Sequence, residues 1–131
     1  MELALATSTT GTVPEVADRV RAALSEQGFG VLTEIDMSAT LKTKIDVDME
    51  DYLILGACNP PAAYRAVSAE KQIGLLLPCN VVVRRDPDDG DLIHVEAMNP
   101  QLMVNAVPGN PGLAEVADEV AVKLQAVIDA L

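Results

Sequence analysis

Aromatic side chains are nearly absent from this sequence. It has no Trp, and its only aromatics are Phe29, Tyr52 and Tyr64. A core must therefore be built from Val, Leu, Ile, Ala and Met. Positive charge is also scarce. Nine Lys and Arg face twenty Asp and Glu, a net charge of −11, and Lys42, Lys44, Lys71 and Lys123 are the only lysines. Such a field repels phosphate backbones and anionic lipid surfaces, which argues against a nucleic-acid partner. The acidity reads either as a solvated, soluble surface or as adaptation to high salt. No apolar run reaches the ~20 residues of a membrane span, so no membrane span is expected. The start, "MELALATSTTG", has neither the basic region nor the long apolar stretch of a secretion signal. There is one histidine, His94, and there are two cysteines. Without an export signal the thiols are expected to be reduced and the protein cytoplasmic. GxGxxG, P-loop, HExxH and GxSxG patterns are missing. A lone His on a strand face gives no ground for arguing a Ser/His/Asp triad.

Half of the 131 residues are apolar. A chain of that length buries roughly 65–70% of its unfolded surface, and residues 1–131 are read as a single domain. "ELALAT" is a short strand. Thr12 caps a helix, with Glu15 three residues on, Pro14 in its first turn and Gly28 as its stop. "FGVLTEIDM" alternates as a strand, and Ser38 is expected to cap a short helix over "SATLKTKID". "DYLILGAC" is apolar on both faces, as befits a central strand. Asn59-Pro60, Asn99-Pro100 and Asn110-Pro111 each mark a helix start, because Asn caps and Pro fits the first helical turn. The expected helices cover Pro60–Lys71, Pro100–Val107 and the apolar stripe from Leu113 to Leu131. "LLLPCNVVVRR" is a second buried strand. "DPDDGD" is a turn with Asp89-Gly90 at its tip, and "LIHVEAM" returns with Ile93, Val95 and Ala97 on one face and Leu92, His94, Glu96 and Met98 on the other. The order β-α-β-α-β-α-β-β-α-α implies an α+β fold. Its five-stranded, largely antiparallel sheet carries the long N- and C-terminal helices on one face.

The candidate site is the pair "ACNP" and "LPCN". Cys58 ends one central strand and Cys79 begins another, so in an antiparallel pair they meet at one rim. Cys58 also precedes the capped helix at Asn59-Pro60, whose positive pole favours an anion. Free Cys is commonly just a small buried residue. The ligand-binding candidates are Cys58, Asn59, Cys79 and Asn80. Cys58 and Cys79 are weak soft-metal candidates, with Met49, Met98 or Met103 as possible thioether partners. With His94 they make three zinc ligands at best, one short of a zinc site, and His94 reads as a surface residue on an edge strand.

"GACNP" followed by "LPCNV" after an Ala-rich helix, together with "QGFGVL" and "IDMSATLKTKI", resembles the family called domain of unknown function 302 over essentially the whole chain. That resemblance implies a small α+β homodimer and supplies no activity. Two function classes stay open. The favoured one is a non-enzymatic binding module with a small-ligand or soft-metal pocket near Cys58 and Cys79. The alternative is a thiol-based redox protein or enzyme in which Cys58 attacks and Cys79 resolves. No acid/base partner is visible near either thiol in sequence. The cofactor is unknown.

Overall fold

A computed structural model describes residues 2–131. The strands are β1 (Ala4–Thr10), β2 (Gly30–Asp36), β3 (Tyr52–Cys58), β4 (Cys79–Arg85) and β5 (Leu92–Met98). The helices are α1 (Val13–Glu26), α2 (Met37–Ile45), α3 (Pro60–Ala69), α4 (Gln101–Ala106) and α5 (Pro111–Asp129). The expected element order holds, with one addition. The α3 helix stops at Ala69 and a 3-10 turn over Lys71–Leu76 leads into β4. About half of the chain is helical, and the sheet runs β1-β5-β4-β3-β2 with every neighbouring pair antiparallel. His94 is thus on an inner strand, because the edges are β1 and β2.

Alternation decides which face is covered. Leu53, Leu55 and Ala57 of β3, Val81 and Val83 of β4, and Ile93, Val95 and Ala97 of β5 are buried. They pack beneath α1 and α5, whose own stripes include Val16, Val20, Leu24, Leu113, Val120 and Leu124. The opposite face, with Ile54, Val82, Arg84, His94 and Glu96, is only half-buried. There Arg84 Nε donates to Glu96 at 2.6 Å across β4 and β5.

The three Asn-Pro starts share a device that reaches beyond local capping. Asn59 Oδ1 accepts from Ala62 N–H while its Nδ2 donates to the carbonyl of Gln27, at the end of α1. Asn110 caps Leu113 N–H and grips Ala69 O at the end of α3. Asn99 accepts from Gln101 N–H and donates to Glu2 O, so its helix begins at Gln101. Each side chain satisfies an orphan donor of one helix and ties that start to a distant carbonyl.

Three local expectations need correction. The cap of α2 is Asp36, whose carboxylate accepts from Ala39 N–H; Ser38 donates to that same carboxylate. A carboxylate two residues earlier takes the helix donor in place of the hydroxyl. The β4–β5 connection is a six-residue loop over 86–91 instead of a two-residue turn. Asp86 Oδ1 accepts from both Asp88 and Asp89 N–H and holds the loop open. Finally, β2 has no core face. Its pairing slips between Val31 and Thr33, and only Val31 is even half-buried; no residue of α2 is fully buried.

Candidate functional site

Antiparallel pairing of β3 with β4 sets Ala57 opposite Cys79 and Gly56 opposite Asn80. Cys58, one residue beyond Ala57, is therefore the diagonal neighbour of Cys79 at one rim of the sheet. Gly56 makes this rim possible. A Cβ there would collide with Thr33 Oγ1 and lie 2.8 Å from Pro78 Cγ, so only glycine lets β2 and the Leu77–Pro78 segment close over β3. The Leu77–Pro78 peptide is cis.

Both thiols are free and line one cleft of about 280 Å³. Its floor is Ala57 and Cys79, and one wall is Ala62, Ala63 and Ala66 of α3. Val116, Val120 and Met103 line it opposite, and Phe29, Leu32, Leu77 and Pro78 complete the lining. The small alanines of α3 are what leave the space. Arg65, on the outer side of α3, bridges to Glu119 at 2.5 Å and Glu115 at 3.6 Å, pinning α3 to α5. Such exposed pairs contribute roughly 0–1 kcal/mol each, so the walls are held mainly by apolar packing.

The lining is hydrocarbon apart from Asn59 and the two thiols. Asn59 is buried, and each end of its amide holds one protein bond, Oδ1 from Ala62 N–H and Nδ2 to Gln27 O, so it ties α3 to the end of α1 beside the cleft. Burial pushes the Cys79 thiol up to about 11, with a smaller contribution from Cys58 nearby. That holds Cys79 as a neutral thiol near pH 7. Asn80 is not brought to this site: it is exposed on the other face of the sheet, beside Tyr52, Val82 and Glu96. Among Met49, Met98 and Met103, only Met103 shares the cleft with the thiols. Among the described residues no three His, Cys, Asp or Glu side chains cluster as a metal site.

The fold places this chain, and the match is direct: the family model for "Domain of unknown function DUF302" covers residues 5–131. The chain belongs to that family. The fold is similar to the crystal structure of an uncharacterized conserved protein DUF302 from Bacillus stearothermophilus. That match has a TM-score of 0.89 and 25% identity, and covers 99% of this chain and 98% of the other. The search of curated proteins found no match. As a DUF302 domain the chain has no helix among the described residues long and apolar enough to cross a membrane.

Sequence reasoning missed a second constellation, on the uncovered face near the opposite rim. Ser8 Oγ lies 2.9 Å from His94 Nδ1, and His94 Nε2 lies 2.7 Å from Asp86 Oδ2. Ser8 is 86 positions from His94 in sequence, and only the β1–β5 register joins them. No short-range motif could have revealed it.

Proposed function

We propose that this DUF302 domain is a cytoplasmic homodimeric binding module whose cleft at Cys58 and Cys79 takes a small apolar ligand. The supporting observation is the cleft itself. About 280 Å³ of space is walled by Ala, Val, Leu, Met and Phe, with its one amide bonded at each end to protein backbone. That places it at the small end of ligand pockets, which run roughly 300–1,000 Å³. The raised ionisation of Cys79 weighs against a nucleophilic role, because the thiolate is the reacting species. The homodimer is supported by exposed apolar residues gathered on one edge, Leu32, Ile35, Ile45 and Val47. The two thiols with Met103 would also suit a soft metal ion, a softer occupant of the same cleft.

Indole or p-xylene, titrated while thermal unfolding is followed, tests the reading. Saturation at 100 times Kd adds about 2.7 kcal/mol, or about 10 °C for a chain of this length. Ala63→Phe fills the cleft and removes the shift. An unshifted wild type, or an equal shift in Ala63→Phe, overturns the proposal. Sedimentation decides between 13.8 kDa and twice that mass for the dimer.

The thiol alternative is favoured by one observation, the adjacency of two unbridged cysteines at one rim. Mild oxidation that links Cys58 to Cys79 in the folded protein, mapped by mass spectrometry, would support it. Thiols that stay unlinked until the chain unfolds would remove it.

A further inference from the structure

The Ser8–His94–Asp86 chain lies on the opposite face and toward the opposite rim from the cleft, and nothing in the binding reading uses it. Its chemistry follows from hydrogen-bond inventory. Asp86 is an acceptor from every side: Oδ1 takes Asp88 and Asp89 N–H at 2.9 and 3.1 Å, and Oδ2 faces His94 Nε2 at 2.7 Å. These bonds hold its carboxyl below the usual carboxylate range, His94 first among the causes. An ionised carboxylate cannot donate, so Nε2 carries the imidazole proton. When the ring is neutral, Nδ1 is then a lone pair to which the Ser8 hydroxyl donates across 2.9 Å.

The ladder explains why Ser8 reaches. Asn99 N–H donates to Leu3 O and Gly11 N–H to Asp91 O. In this register, residues 3 and 11 therefore sit at hydrogen-bonded positions, and the even positions of β1 do not. Ser8 and His94 form a non-hydrogen-bonded pair, in which facing side chains approach most closely. The same alternation turns the backbone N–H of Ser8 outward, off the free edge of the sheet. Arg19, which donates to the equally outward carbonyl of Thr10 at 3.2 Å, reports this direction. Ser8 is exposed, whereas His94 and Asp86 are about four-fifths buried.

We propose that Ser8 is an activated nucleophile, with His94 as its general base and Asp86 as the positioning residue, acting on small activated acyl esters that approach the β1 edge. Ser8 Oγ bonds to the acyl carbon as its proton passes to His94 Nδ1. The tetrahedral oxyanion meets the outward Ser8 N–H. The carbon–oxygen bond to the leaving group then breaks, and His94 returns the proton to the departing alkoxide. Water, deprotonated by the same nitrogen, hydrolyses the acyl-serine and regenerates the hydroxyl. The carboxylate grips Nε2 and the serine meets Nδ1; the two ring nitrogens are conjugated, so the imidazole relays charge in either sense. With a single backbone donor for the oxyanion and no enclosing cleft, selectivity among acyl groups is low and access is unrestricted.

The test is covalent labelling of the intact chain by a fluorophosphonate. Ser8 Oγ forms the P–O bond, fluoride leaves with the P–F electrons, and His94 holds the proton. Peptide mapping is expected to place one adduct on Ser8, lost in Ser8→Ala. His94→Gln should slow it at least ~100-fold, within the range for general-base loss. Circular dichroism checks that each variant folds. If His94→Gln does not, Asp86→Asn, which removes the negative charge that fixes the imidazole tautomer, serves in its place and must also slow labelling. Absence of a Ser8 adduct, labelling no faster than at Ser25, an exposed serine of α1 far from any imidazole in sequence, or a rate unchanged without His94 or the Asp86 charge would overturn the assignment.

Discussion

Replacing Gly56 by alanine probes the step that builds the cleft rim. The added methyl would overlap Thr33 Oγ1 and come within 2.8 Å of Pro78 Cγ, with Thr33 Cβ at 3.4 Å. Thr33 is a surface side chain that can turn away only by leaving its present rotamer, at a cost of about 0.5–1.5 kcal/mol. Pro78 cannot, because its ring is fixed between Leu77 and Cys79. Overpacking of this kind costs about 1–3 kcal/mol. An entropy of unfolding near 2.1 cal/mol/K per residue makes 1 kcal/mol about 3.6 °C for a chain of this length. Gly56→Ala is therefore expected to lower Tm by about 4–11 °C. Thr33→Ala alone, at an exposed position, stays within about 0.5 kcal/mol of wild type. In the double variant the Thr33 collision is gone and the Pro78 collision remains, so part of the loss returns, a coupling of at least ~0.5 kcal/mol. Urea unfolding of the four proteins gives the cycle directly. A Gly56→Ala protein melting within 1 °C of wild type refutes the reasoning about the rim, and so does a strictly additive double variant.

Asn59→Ala removes a helix cap worth about 0.5–2 kcal/mol and the bond to Gln27 O, worth about 1 kcal/mol. Thermal melts should fall by about 5–11 °C, and Asn59→Ser, which can still cap, should recover roughly half. Cys79, with its ionisation pushed up to about 11, should react with iodoacetamide at pH 8 about a hundredfold or more slower than an ordinary thiol; an ordinary rate in the folded protein contradicts the burial argument. Because the folded chain holds that proton more tightly than the unfolded one, the stabilisation is full below about pH 8.5 and is lost as pH rises toward 11. Wild type should therefore lose stability relative to Cys79→Ala across that interval in denaturant titrations. Asp86 has the opposite sign. Its lowered ionisation contributes stability above the ordinary carboxylate range, near pH 4, that disappears as pH falls below it. The melting difference between wild type and Asp86→Asn should shrink toward zero in acid, and a constant difference from pH 7 to 2 would refute the role of the charge.

Local signals carried most of the fold. Asn-Pro pairs, Thr12 with Glu15, and the strict alternation of Leu92–Met98 act within one turn or one strand, so their physics is written in adjacent residues. The rim at Cys58 and Cys79 was legible because an end and a start of neighbouring antiparallel strands must coincide. Long-range register was not. Asn80 looked like a partner of Asn59 by symmetry of the two motifs, yet a strand residue next to Cys79 must face the other way. Met103 joined the cleft through α4, whose position depends on how α5 packs. Ser8 and Asp86 flank His94 only because β1 pairs with β5 and the 86–91 loop folds back on its first carboxylate. Val31 and Ile35 alternate as if for burial, yet Ile35 stays exposed on an edge strand that has no core face.

The edge formed by β2 and α2 has a dynamic consequence. A nine-residue helix with no fully buried residue is marginal in water on its own, and β2 pairs only with β3, through a slipped ladder. Amide exchange at 30–45 should therefore proceed by opening that costs far less than global unfolding. Leu32 belongs to this segment and lines the cleft. If the cleft takes a guest as proposed, opening of this edge would admit it while the layer beneath α1 and α5 stays shut.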